Sequence, residues 1–185
     1  MTVKDEPVRA AVLGWPVSHS LSPRLHGYWL RELGINGTYR AITVEPEKFA
    51  GKLRALAAAG YRGFNVTLPH KEAALALVDE VDAEAVRIGA LNTIVVDRDG
   101  RLVGSNTDGY GFIENLKANP AGLDAGAIIA GGPVVVLGAG GAARSVVAAL
   151  DNAGASEIRV VNRTVEKAQA LAHAIGREKG AAIGV

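Results

Sequence analysis

The sequence predicts an α/β fold with mainly parallel sheets, divided into two parts. Short apolar segments that suit strands alternate along the chain with segments whose apolar residues recur at helical spacing, a pattern typical of strand–helix–strand units. A polar break near Asn106–Asp108 divides the 185 residues into an N-terminal α/β domain at 1–107 and a second domain at 108–185. The second domain contains two clear strands, Val134–Leu137 and Ile158–Val161.

In the first domain, runs rich in β-branched and aromatic residues predict strands. These runs are Val8–Leu13, Thr38–Val44, Phe64–Thr67, Leu91–Val96 and Leu102–Val103. The residues Asp97-Arg98-Asp99-Gly100 between the last two runs are a strong hairpin signal. Helices are predicted at Ser22–Leu33, Glu47–Ala59 and Pro69–Val78. Ser22 is expected to cap the first of these helices, with Pro23 in its first turn.

In the second domain, a helix capped by Asp108 is predicted to run to about Ala118, followed by a connection rich in glycine and alanine as far as Gly132. Val134–Leu137 is a continuous apolar run, which predicts a strand buried on both faces. Apolar residues at helical spacing predict two more helices. These residues are Ala143, Val146, Val147 and Leu150, then Ala168, Leu171, Ala172 and Ile175. A third strand is expected to begin at Ala181–Val185.

The composition favours a small-molecule protein over a nucleic-acid or membrane protein. Lys and Arg total 20 against 19 Asp and Glu, and no apolar run is long enough to span a membrane. The N-terminus lacks the apolar core of a signal peptide, so we expect a cytoplasmic protein. The chain has no cysteine, and its histidines show no metal-ligand spacing, so we expect no metal site. The histidines are His19, His26, His70 and His173.

The segment Gly138-Ala139-Gly140-Gly141-Ala142-Ala143 lies directly after a predicted strand and directly before a predicted helix. In a Rossmann dinucleotide-binding fold, the first glycine of such a turn permits the tight turn and the second lets the backbone approach the pyrophosphate. Ala143 keeps the helix close to the strand, and the helix N-terminus offers free N–H groups to phosphate. The sequence therefore predicts a dinucleotide site in a Rossmann fold that is incomplete, since the complete fold has about six strands. A strand–helix connection with no ligand is the alternative.

The residues that follow the second strand of this domain favour NADP, the 2′-phosphorylated cofactor. NAD-binding folds usually place an acidic residue about 20 residues beyond the glycine turn. This chain has Asn162-Arg163-Thr164 at that point. Arg163 is expected to bind the 2′-phosphate, with hydrogen bonds from Asn162 and Thr164 and added positive charge from Lys167. The alternatives are a solvated surface arginine and a Thr164 that caps the next helix.

Three polar segments at predicted strand ends indicate a site for a small polar ligand. The first is Gly14–Pro23, the second is Asn65–Lys71, and the third combines Leu91–Thr93 with Asn106–Gly109. Because small ligands bind at the carboxyl ends of parallel strands, these hydroxyls and amides suit a polyhydroxylated substrate. Ordinary turn chemistry is the alternative at each position.

Lys71 is the candidate for proton transfer. It is predicted to lie in the first turn of the helix that follows Pro69, where a cation opposes the helix dipole. A lysine near a positive helix end deprotonates more easily, as a general acid or base requires. An exposed solubilising lysine is the alternative.

Taken together, these motifs resemble the shikimate dehydrogenase family in order and spacing. They are Gly14-x-Pro16-x-x-His19-Ser20-x-Ser22-Pro23, Asn65-Val66-Thr67-x-Pro69-x-Lys71, Asn92-Thr93, Asn106-Thr107-Asp108-Gly109, the glycine turn and Asn162-Arg163-Thr164. The resemblance covers the chain from about Val8 onward. Members of this family continue well beyond the length of this sequence. We therefore expect the C-terminal portion, which completes the nucleotide sheet and adds a substrate-binding glutamine, to be missing.

The resemblance implies reversible NADPH-dependent reduction of 3-dehydroshikimate to shikimate, a step of chorismate and aromatic amino-acid biosynthesis. It implies that Lys71 exchanges the proton of the reacting oxygen. Asp108 would hold both the lysine and a substrate hydroxyl in place, although a simple helix cap is its alternative role. A chain that ends at Val185 is expected to bind the cofactor weakly and to turn over little.

The same resemblance implies that Ser20 and Ser22 bind the substrate carboxylate, with Thr67 and Asn92 on its hydroxyls. The two serines favour shikimate, while a quinate/shikimate dehydrogenase with relaxed substrate or cofactor use stays open. A non-catalytic module that senses shikimate or nucleotide is the second alternative. The family includes monomers and dimers, so a homodimer is one of the two assembly states that the resemblance allows.

Overall fold

The computed structural model describes residues 6–118, 122 and 124–175 of the chain. Within these ranges, eight strands and seven α-helices follow one another. Four of the six strand pairings in the described residues are parallel. The predicted α/β fold with mainly parallel sheets is therefore confirmed.

The chain divides into two units whose segments interleave in sequence. The first unit contains the chain up to Asp82 together with Leu91–Ser105, and the second contains Ala83–Ala90 together with the chain from Asn106 onward. The expected continuous division at 107/108 therefore missed the segment Ala83–Ala90. The assignment of a substrate-binding role to one domain and a cofactor-binding role to the other stays a prediction.

The first unit is built on one six-stranded sheet. Its strands are β1 (Val8–Gly14), β2 (Gly37–Thr43), β3 (Gly63–Val66), β4 (Glu80–Val81), β5 (Thr93–Val96) and β6 (Leu102–Ser105). Their order across the sheet is β2-β1-β3-β5-β6-β4. β1 is parallel to β2 and β3, and β4 is parallel to β6, whereas β5 runs antiparallel to β3 and β6. β5 and β6 form the predicted hairpin, which is thus confirmed.

Two α-helices of the first unit, α1 (Ser22–Glu32) and α2 (Phe49–Ala58), follow β1 and β2. α1 begins where the sequence predicts, but its N-cap is Leu21 and Ser22 is its first helical residue. The prediction that Ser22 caps the helix is therefore wrong. The Ser22 N–H donates to Ser20 Oγ at 3.2 Å, so the serine two residues earlier supplies the side-chain acceptor.

The helix predicted at Pro69–Val78 is also wrong, because Ala73–Ala76 forms a short 3₁₀ helix and the residues before it form turns. The Lys71 carbonyl accepts a hydrogen bond from the Leu91 N–H at 3.0 Å. The main chain at this point therefore bonds to the segment that leads into β5. In an α-helix the same carbonyl would instead accept an N–H from the next helical turn. A tertiary hydrogen bond thus overrides the helical spacing of the apolar residues.

The His70 side chain anchors this turn in the core of the first unit. It is 1% exposed, and its ring stacks on Phe49 with the ring centroids 4.2 Å apart. His70 Nε2 lies 2.8 Å from the Val44 carbonyl oxygen. Because a carbonyl can only accept, Nε2 is the donor in this bond and the orientation of the ring is fixed.

The second unit has a two-stranded parallel sheet with helices around it. Its elements are α3 (Ala83–Ile88), α4 (Asp108–Lys117), α5 (Ala125–Ala130), β7 (Val134–Leu137), α6 (Gly141–Asn152), β8 (Ile158–Val161) and α7 (Val165–Ile175). α5 lies within the stretch that the sequence predicts to be a connection, so that prediction is wrong for Ala125–Ala130. Asp124 caps α5 by accepting the Ala127 N–H at 3.1 Å, and Ile129 is buried. The strand predicted at Ala181–Val185 lies outside the described residues.

A polar cluster explains why the segment with α3 belongs to the second unit. Arg87 of α3 forms an ion pair with Asp151 of α6 and donates to Asn152 Oδ1 at 2.7 Å. Asn152 Nδ2 in turn donates to Glu84 Oε1 at 3.2 Å. These contacts join the two helices at the end of α6, and they depend on side chains that a sequence pattern does not pair.

The burial of the second unit agrees with the predicted helix faces but not with the predicted strand. Leu150 of α6 and Leu171 of α7 are fully buried, as predicted. β7 is a strand as predicted, yet Val135 and Leu137 are 54% and 80% exposed, so the expectation of burial on both faces is wrong. Val135 and Leu137 are two residues apart and therefore lie on the same face of the two-stranded sheet, whereas Val136 on the opposite face is buried.

We expect Leu53→Ala to lower the free energy of unfolding by about 2–5 kcal/mol, because truncation of a buried leucine leaves a cavity. Leu53 of α2 is 0% exposed. Leu33→Ala removes the same atoms from a side chain that is 69% exposed, and it should change this free energy by less than about 0.5 kcal/mol. Urea unfolding followed by circular dichroism measures both variants. Equal losses in the two would contradict the core described here.

Candidate active site

Polar residues of the first unit gather at one edge of its sheet. β1, β2 and β3 are parallel, so their carboxyl ends meet at the same edge, and the antiparallel β5 begins there. The segments at this edge carry all the predicted substrate ligands of this unit, namely Ser20, Ser22, Thr67, Lys71 and Asn92. The topology therefore brings these residues to one edge, and their contacts with a substrate stay a prediction.

Asn92 is the most deeply buried of these residues, at 8% exposed. Its N–H donates to the Ser105 carbonyl at 3.1 Å, and its own carbonyl accepts the Val66 N–H at 2.8 Å. Its Oδ1 accepts a hydrogen bond from Thr93 Oγ1 at 2.8 Å. The main chain thus fixes Asn92 between the ends of β3 and β6.

Tyr39 of β2 links the predicted ligand Ser22 to Asn65, and sequence reasoning missed it. Its hydroxyl donates to Asn65 Oδ1 at 2.6 Å and is hydrogen-bonded to the Ser22 side chain. Asn65 Nδ2 lies 3.4 Å from the Asn92 carbonyl and 3.3 Å from Thr93 Oγ1, and it donates to both. A chain of hydrogen bonds therefore runs from α1 through β2 and β3 to β5. The alternating pattern of the second predicted strand included Tyr39 but gave no indication of these partners.

Burial determines the chemistry of Tyr39. It raises the pKa of Tyr39 to about 12, while the hydrogen bond with Ser22 acts in the opposite direction. His26 of α1 stacks on the phenol ring with the centroids 4.0 Å apart, and burial lowers the pKa of this imidazole. Both rings are therefore neutral at physiological pH. The Tyr39 hydroxyl keeps its proton and stays a donor to Asn65.

Lys71 lies in the turn between β3 and the 3₁₀ helix Ala73–Ala76, and no α-helix begins there. The helix-dipole argument for its reactivity is therefore wrong. The bond between its carbonyl and the Leu91 N–H holds this turn beside the segment that carries Asn92. The residue is half-buried at the polar edge of the sheet, which is the arrangement that a proton donor to a bound ligand needs. Its role in proton transfer stays a prediction.

Asp108 belongs to the second unit, where it is the half-buried first residue of α4. The N-cap of this helix is Thr107, which makes no side-chain capping bond. The Asp108 N–H instead donates to Asn106 Oδ1 at 3.0 Å. The prediction that Asp108 caps the helix is therefore wrong, because Asn106 supplies the acceptor. Lys71 belongs to the other unit, and the pairing of the two side chains stays a prediction.

The glycine turn and the end of β8 meet at one edge of the second unit. β7 and β8 are parallel, so both chain segments leave the sheet at the same edge. The Gly138 N–H donates to the Val161 carbonyl at 2.7 Å, which holds Gly138–Ala142 beside Asn162–Thr164. α6 begins at Gly141, so the free N–H groups of its first turn lie at this edge.

Gly138 and Gly140 of this turn differ in what requires glycine at each position. Gly138 has a φ of 109°, a conformation that other residues rarely adopt, so the turn itself requires glycine. Gly140 has an ordinary φ of −89°, and a Cβ added there would meet no described atom within 4 Å. Neither the backbone nor the packing therefore requires glycine at Gly140, whereas a phosphate lying against the main chain would. Ala139 packs against the buried apolar residues of the second unit, and Ala142 is exposed. The free space at Gly140 is therefore the observation that fits a dinucleotide.

The predicted 2′-phosphate ligands follow β8. Arg163, Thr164 and Lys167 are exposed, and Asn162 is half-buried. Asn162 Nδ2 donates to the Thr164 carbonyl at 2.8 Å, and the Lys167 N–H lies 3.2 Å from the same carbonyl. Asn162 therefore shapes the turn that carries Arg163, a role that the sequence did not suggest. The contacts of these four residues with a phosphate stay a prediction.

The described residues also bear on metal binding and on membrane insertion. Among those residues, no three His, Cys, Asp or Glu side chains come together as metal ligands would. In the same part of the chain, no helix is both long enough and apolar enough to cross a membrane. The expectation that the protein needs no metal stays a prediction.

Known proteins share both the sequence and the fold of this chain. Residues 12–94 match the family model described as shikimate dehydrogenase substrate binding domain, and residues 126–184 match the model described as shikimate / quinate 5-dehydrogenase. The chain is 54% identical over 167 residues to shikimate dehydrogenase (NADP(+)) of Paramagnetospirillum magneticum, across 90% of this chain and 59% of that protein. The chain belongs to the shikimate dehydrogenase family.

Two further members of the shikimate dehydrogenase family show the extent of the likeness. The enzyme of Rhodospirillum rubrum is 54% identical over 166 residues, which are 90% of this chain and 57% of that protein. The structure of Thermus thermophilus shikimate 5-dehydrogenase in complex with NADP(H) and shikimate matches with a TM-score of 0.83 at 46% identity, over 95% of this chain and 62% of that chain. The chain thus spans 57–59% of the length of the two curated relatives.

We expect the stability of the protein to fall as the pH rises from 10 to 12, and to fall less in Tyr39→Phe. The folded pKa of about 12 lies above the ordinary value of 10.0, so the unfolded chain loses this phenolic proton first. The contribution of Tyr39 is complete below pH 10 and is lost between pH 10 and 12. Urea unfolding at about pH 9 and pH 11 measures the loss, with Tyr110→Phe, which removes an exposed phenol, as the matched control. An identical pH dependence in wild type and Tyr39→Phe would contradict the burial of this hydroxyl.

Proposed function

We propose that the chain acts as an NADP-dependent shikimate dehydrogenase, which reversibly reduces 3-dehydroshikimate to shikimate. One observation carries the proposal: a single chain has two sites at the carboxyl ends of parallel strands, one rich in hydroxyls and amides and one built as a dinucleotide turn. The two curated relatives, both shikimate dehydrogenases (NADP(+)), support it. The reaction is a cytoplasmic step of chorismate and aromatic amino-acid biosynthesis.

The polar edge of the first unit binds the substrate in this proposal. Ser20 and Ser22 bind the carboxylate through their hydroxyls, which lie two residues apart at the start of α1. Thr67 and Asn92 bind the ring hydroxyls. Asn92 suits this task because its amide offers both donors and an acceptor while its main chain is fixed by the neighbouring strands.

Lys71 transfers the proton. When the substrate carbonyl carbon takes up a hydride, the carbonyl oxygen acquires negative charge and takes a proton from the Lys71 ammonium. In the reverse direction the neutral amine of Lys71 accepts the proton of the substrate hydroxyl. Asp108 orients the ammonium group and one substrate hydroxyl. A bound nicotinamide supplies or accepts the hydride.

The edge of the second unit binds the cofactor. Gly138–Ala142 receives the pyrophosphate at the N-terminus of α6, because the first N–H groups of a helix are free donors and its dipole favours an anion. Arg163 binds the 2′-phosphate, with hydrogen bonds from Asn162 and Thr164 and added charge from Lys167. The small-molecule substrate and cofactor account for both edges without a nucleic-acid or membrane partner. The active protein is a monomer or a homodimer.

Quinate is the second substrate to test, because the family model matched by residues 126–184 covers shikimate and quinate enzymes. The purified chain is assayed by the absorbance of NADPH with shikimate and with quinate, each with NADP and with NAD. We expect shikimate with NADP to give the highest kcat/KM. A higher value with quinate would assign the relaxed quinate/shikimate activity. Binding of NADPH and shikimate with no turnover would instead assign a sensing module.

We expect Lys71→Ala to lower kcat by about 10²–10⁴-fold, with the KM for shikimate changed by less than about threefold. The reason is that the lysine transfers a proton in the transition state and contributes less to binding of the ground state. Steady-state kinetics with shikimate and NADP measure both constants. Lys52→Ala removes an exposed lysine of α2 and is the matched control, for which wild-type kinetics are expected. An unchanged kcat in Lys71→Ala would exclude the proton-transfer role.

We expect Arg163→Ala to weaken NADP binding by about 10- to 100-fold and to leave NAD binding within about threefold. The lost interaction is a charge-assisted hydrogen bond to the 2′-phosphate, which contributes about 1.5–3 kcal/mol. Isothermal titration calorimetry with each nucleotide measures the two affinities. Arg101→Ala, which removes an arginine of the first unit that pairs with Glu80, is the control. Equal weakening of NADP and NAD would show that Arg163 does not recognise the 2′-phosphate.

A further inference from the structure

The second unit contains a buried polar contact between α6 and Asn106, two residues before α4, that the proposed roles do not use. Ser145 of α6 is 0% exposed, and its Oγ lies 3.1 Å from Asn106 Oδ1. The same Asn106 oxygen accepts the Asp108 N–H at 3.0 Å, and Asn106 Nδ2 donates to the Ala90 carbonyl at 2.8 Å. Through one buried side chain, Asn106 therefore joins α6, the start of α4 and the end of the segment Ala83–Ala90.

The hydrogen bonds of Asn106 fix the orientation of its amide. Oδ1 accepts the Asp108 N–H and Nδ2 donates to the Ala90 carbonyl, so a rotation that exchanged Oδ1 and Nδ2 would set both of these main-chain partners against the wrong group. Breaking one of these bonds leaves a buried polar atom unsatisfied, which costs more than the bond itself contributes. The amide therefore has one favourable orientation.

The main chains of α4 and α6 also approach closely beside this contact. A Cβ atom added at Gly109 would lie 2.9 Å from the Ser145 carbonyl oxygen and 3.1 Å from Ala149 Cβ, so the approach requires glycine. Asp108 immediately precedes Gly109. Its place relative to α6 is therefore set from both sides, by the Asn106 amide before it and by the helix contact after it.

We propose that Ser145 and Asn106 are positioning residues that hold Asp108 in a fixed place relative to the first turn of α6. The proposal rests on the proposed function, in which this turn receives the pyrophosphate and Asp108 orients the substrate. Ser145 Oγ also lies 3.2 Å from the Gly141 carbonyl, and the hydroxyl has one proton for these two acceptors. Ser145 thereby links the residue at which α6 begins to the residue at which α4 begins. Both side chains act through Asp108 and not by contact with substrate or cofactor.

The first test is the hydrogen-exchange rate of the Asp108 amide, measured by NMR in Ser145→Ala. The N–H groups of a first helical turn have no helical acceptor, so protection of this amide reports its bond to Asn106 directly. Alanine keeps the helix propensity of α6, so the variant should fold. We expect exchange about fivefold faster than in wild type, as the loss of one supporting hydrogen bond implies. Exchange at Val160, in the core of the unit, should be unchanged.

Two further variants serve as references for the exchange rate of the Asp108 amide. Ser156→Ala removes the same hydroxyl from an exposed position of the second unit, and it should leave exchange at Asp108 at the wild-type rate. Asn106→Ala removes the acceptor itself and should accelerate exchange more than Ser145→Ala does. If Asn106→Ala does not fold, the comparison of Ser145→Ala with Ser156→Ala decides the result.

The second test is the kinetics of Ser145→Ala with shikimate and NADP. If Ser145 positions Asp108, Ser145→Ala should lower kcat by about fivefold or more, while the KM for NADP stays within about twofold. Ser156→Ala should keep the wild-type kcat. A kcat of Ser145→Ala within twofold of wild type would overturn the positioning role.

The two tests separate this proposal from the proposed function. Unchanged Asp108 exchange in Ser145→Ala overturns the positioning role whether or not the chain is active. Faster exchange in Ser145→Ala, together with a wild-type chain that does not oxidise shikimate, supports the positioning of Asp108 and rejects the dehydrogenase function. Faster exchange together with a lower kcat supports both.

Discussion

The parallel pairing of β1 with β2 and β3 is the constraint on which the polar edge of the first unit depends. Two parallel neighbours require a connection that crosses back over the sheet, so the chain leaves each of these strands at the same edge. α1 and α2 lie in these connections. Residues as far apart in sequence as Ser20 and Asn92 therefore share an edge because of the strand topology alone, independently of contacts between their side chains.

Hydrogen bonds from two amide side chains then fix the main chain of the residues near these sites. Asn65 takes part in three hydrogen bonds that join β2, β3 and β5, and Asn106 does the same for α4, α6 and the end of the segment with α3. A single bond of this kind contributes only about 0.5–1.5 kcal/mol, but the cost of leaving a buried partner unsatisfied is larger. In each unit an amide that is not itself a predicted ligand thus holds the main chain of residues that are.

Elements with strong local signals could be predicted from the sequence. The hairpin follows from Asp97–Gly100, because an Asp-Gly pair between apolar runs favours one turn geometry. The glycine turn follows from its place between an apolar run and a helical pattern. The helix predicted at Pro69–Val78 could not be corrected from the sequence, since a bond from Leu91 to the Lys71 carbonyl decides the conformation there.

The candidate site could be predicted as a set of positions but not as a set of contacts. Strand ends and motif order indicated Ser22, Asn92 and the glycine turn. The partners that hold them, Tyr39 and Ser145, become neighbours only when separate elements pack, and a single sequence does not specify which side chains then meet. The exposure of one face of β7 has the same origin, because it depends on what packs on that face and not on the strand's own apolar residues.

The interleaving of the two units has a consequence for recombination between relatives. The chain passes from one unit to the other at 82/83, 90/91 and 105/106, so neither unit is a continuous segment. A chimera made with one crossover at 105/106 would combine α3 of one parent with α6 of the other. It would then keep the ion pair between Arg87 and Asp151 only if both parents carry matching residues. Exchange of a whole unit therefore requires the eight residues Ala83–Ala90 to travel with the C-terminal segment.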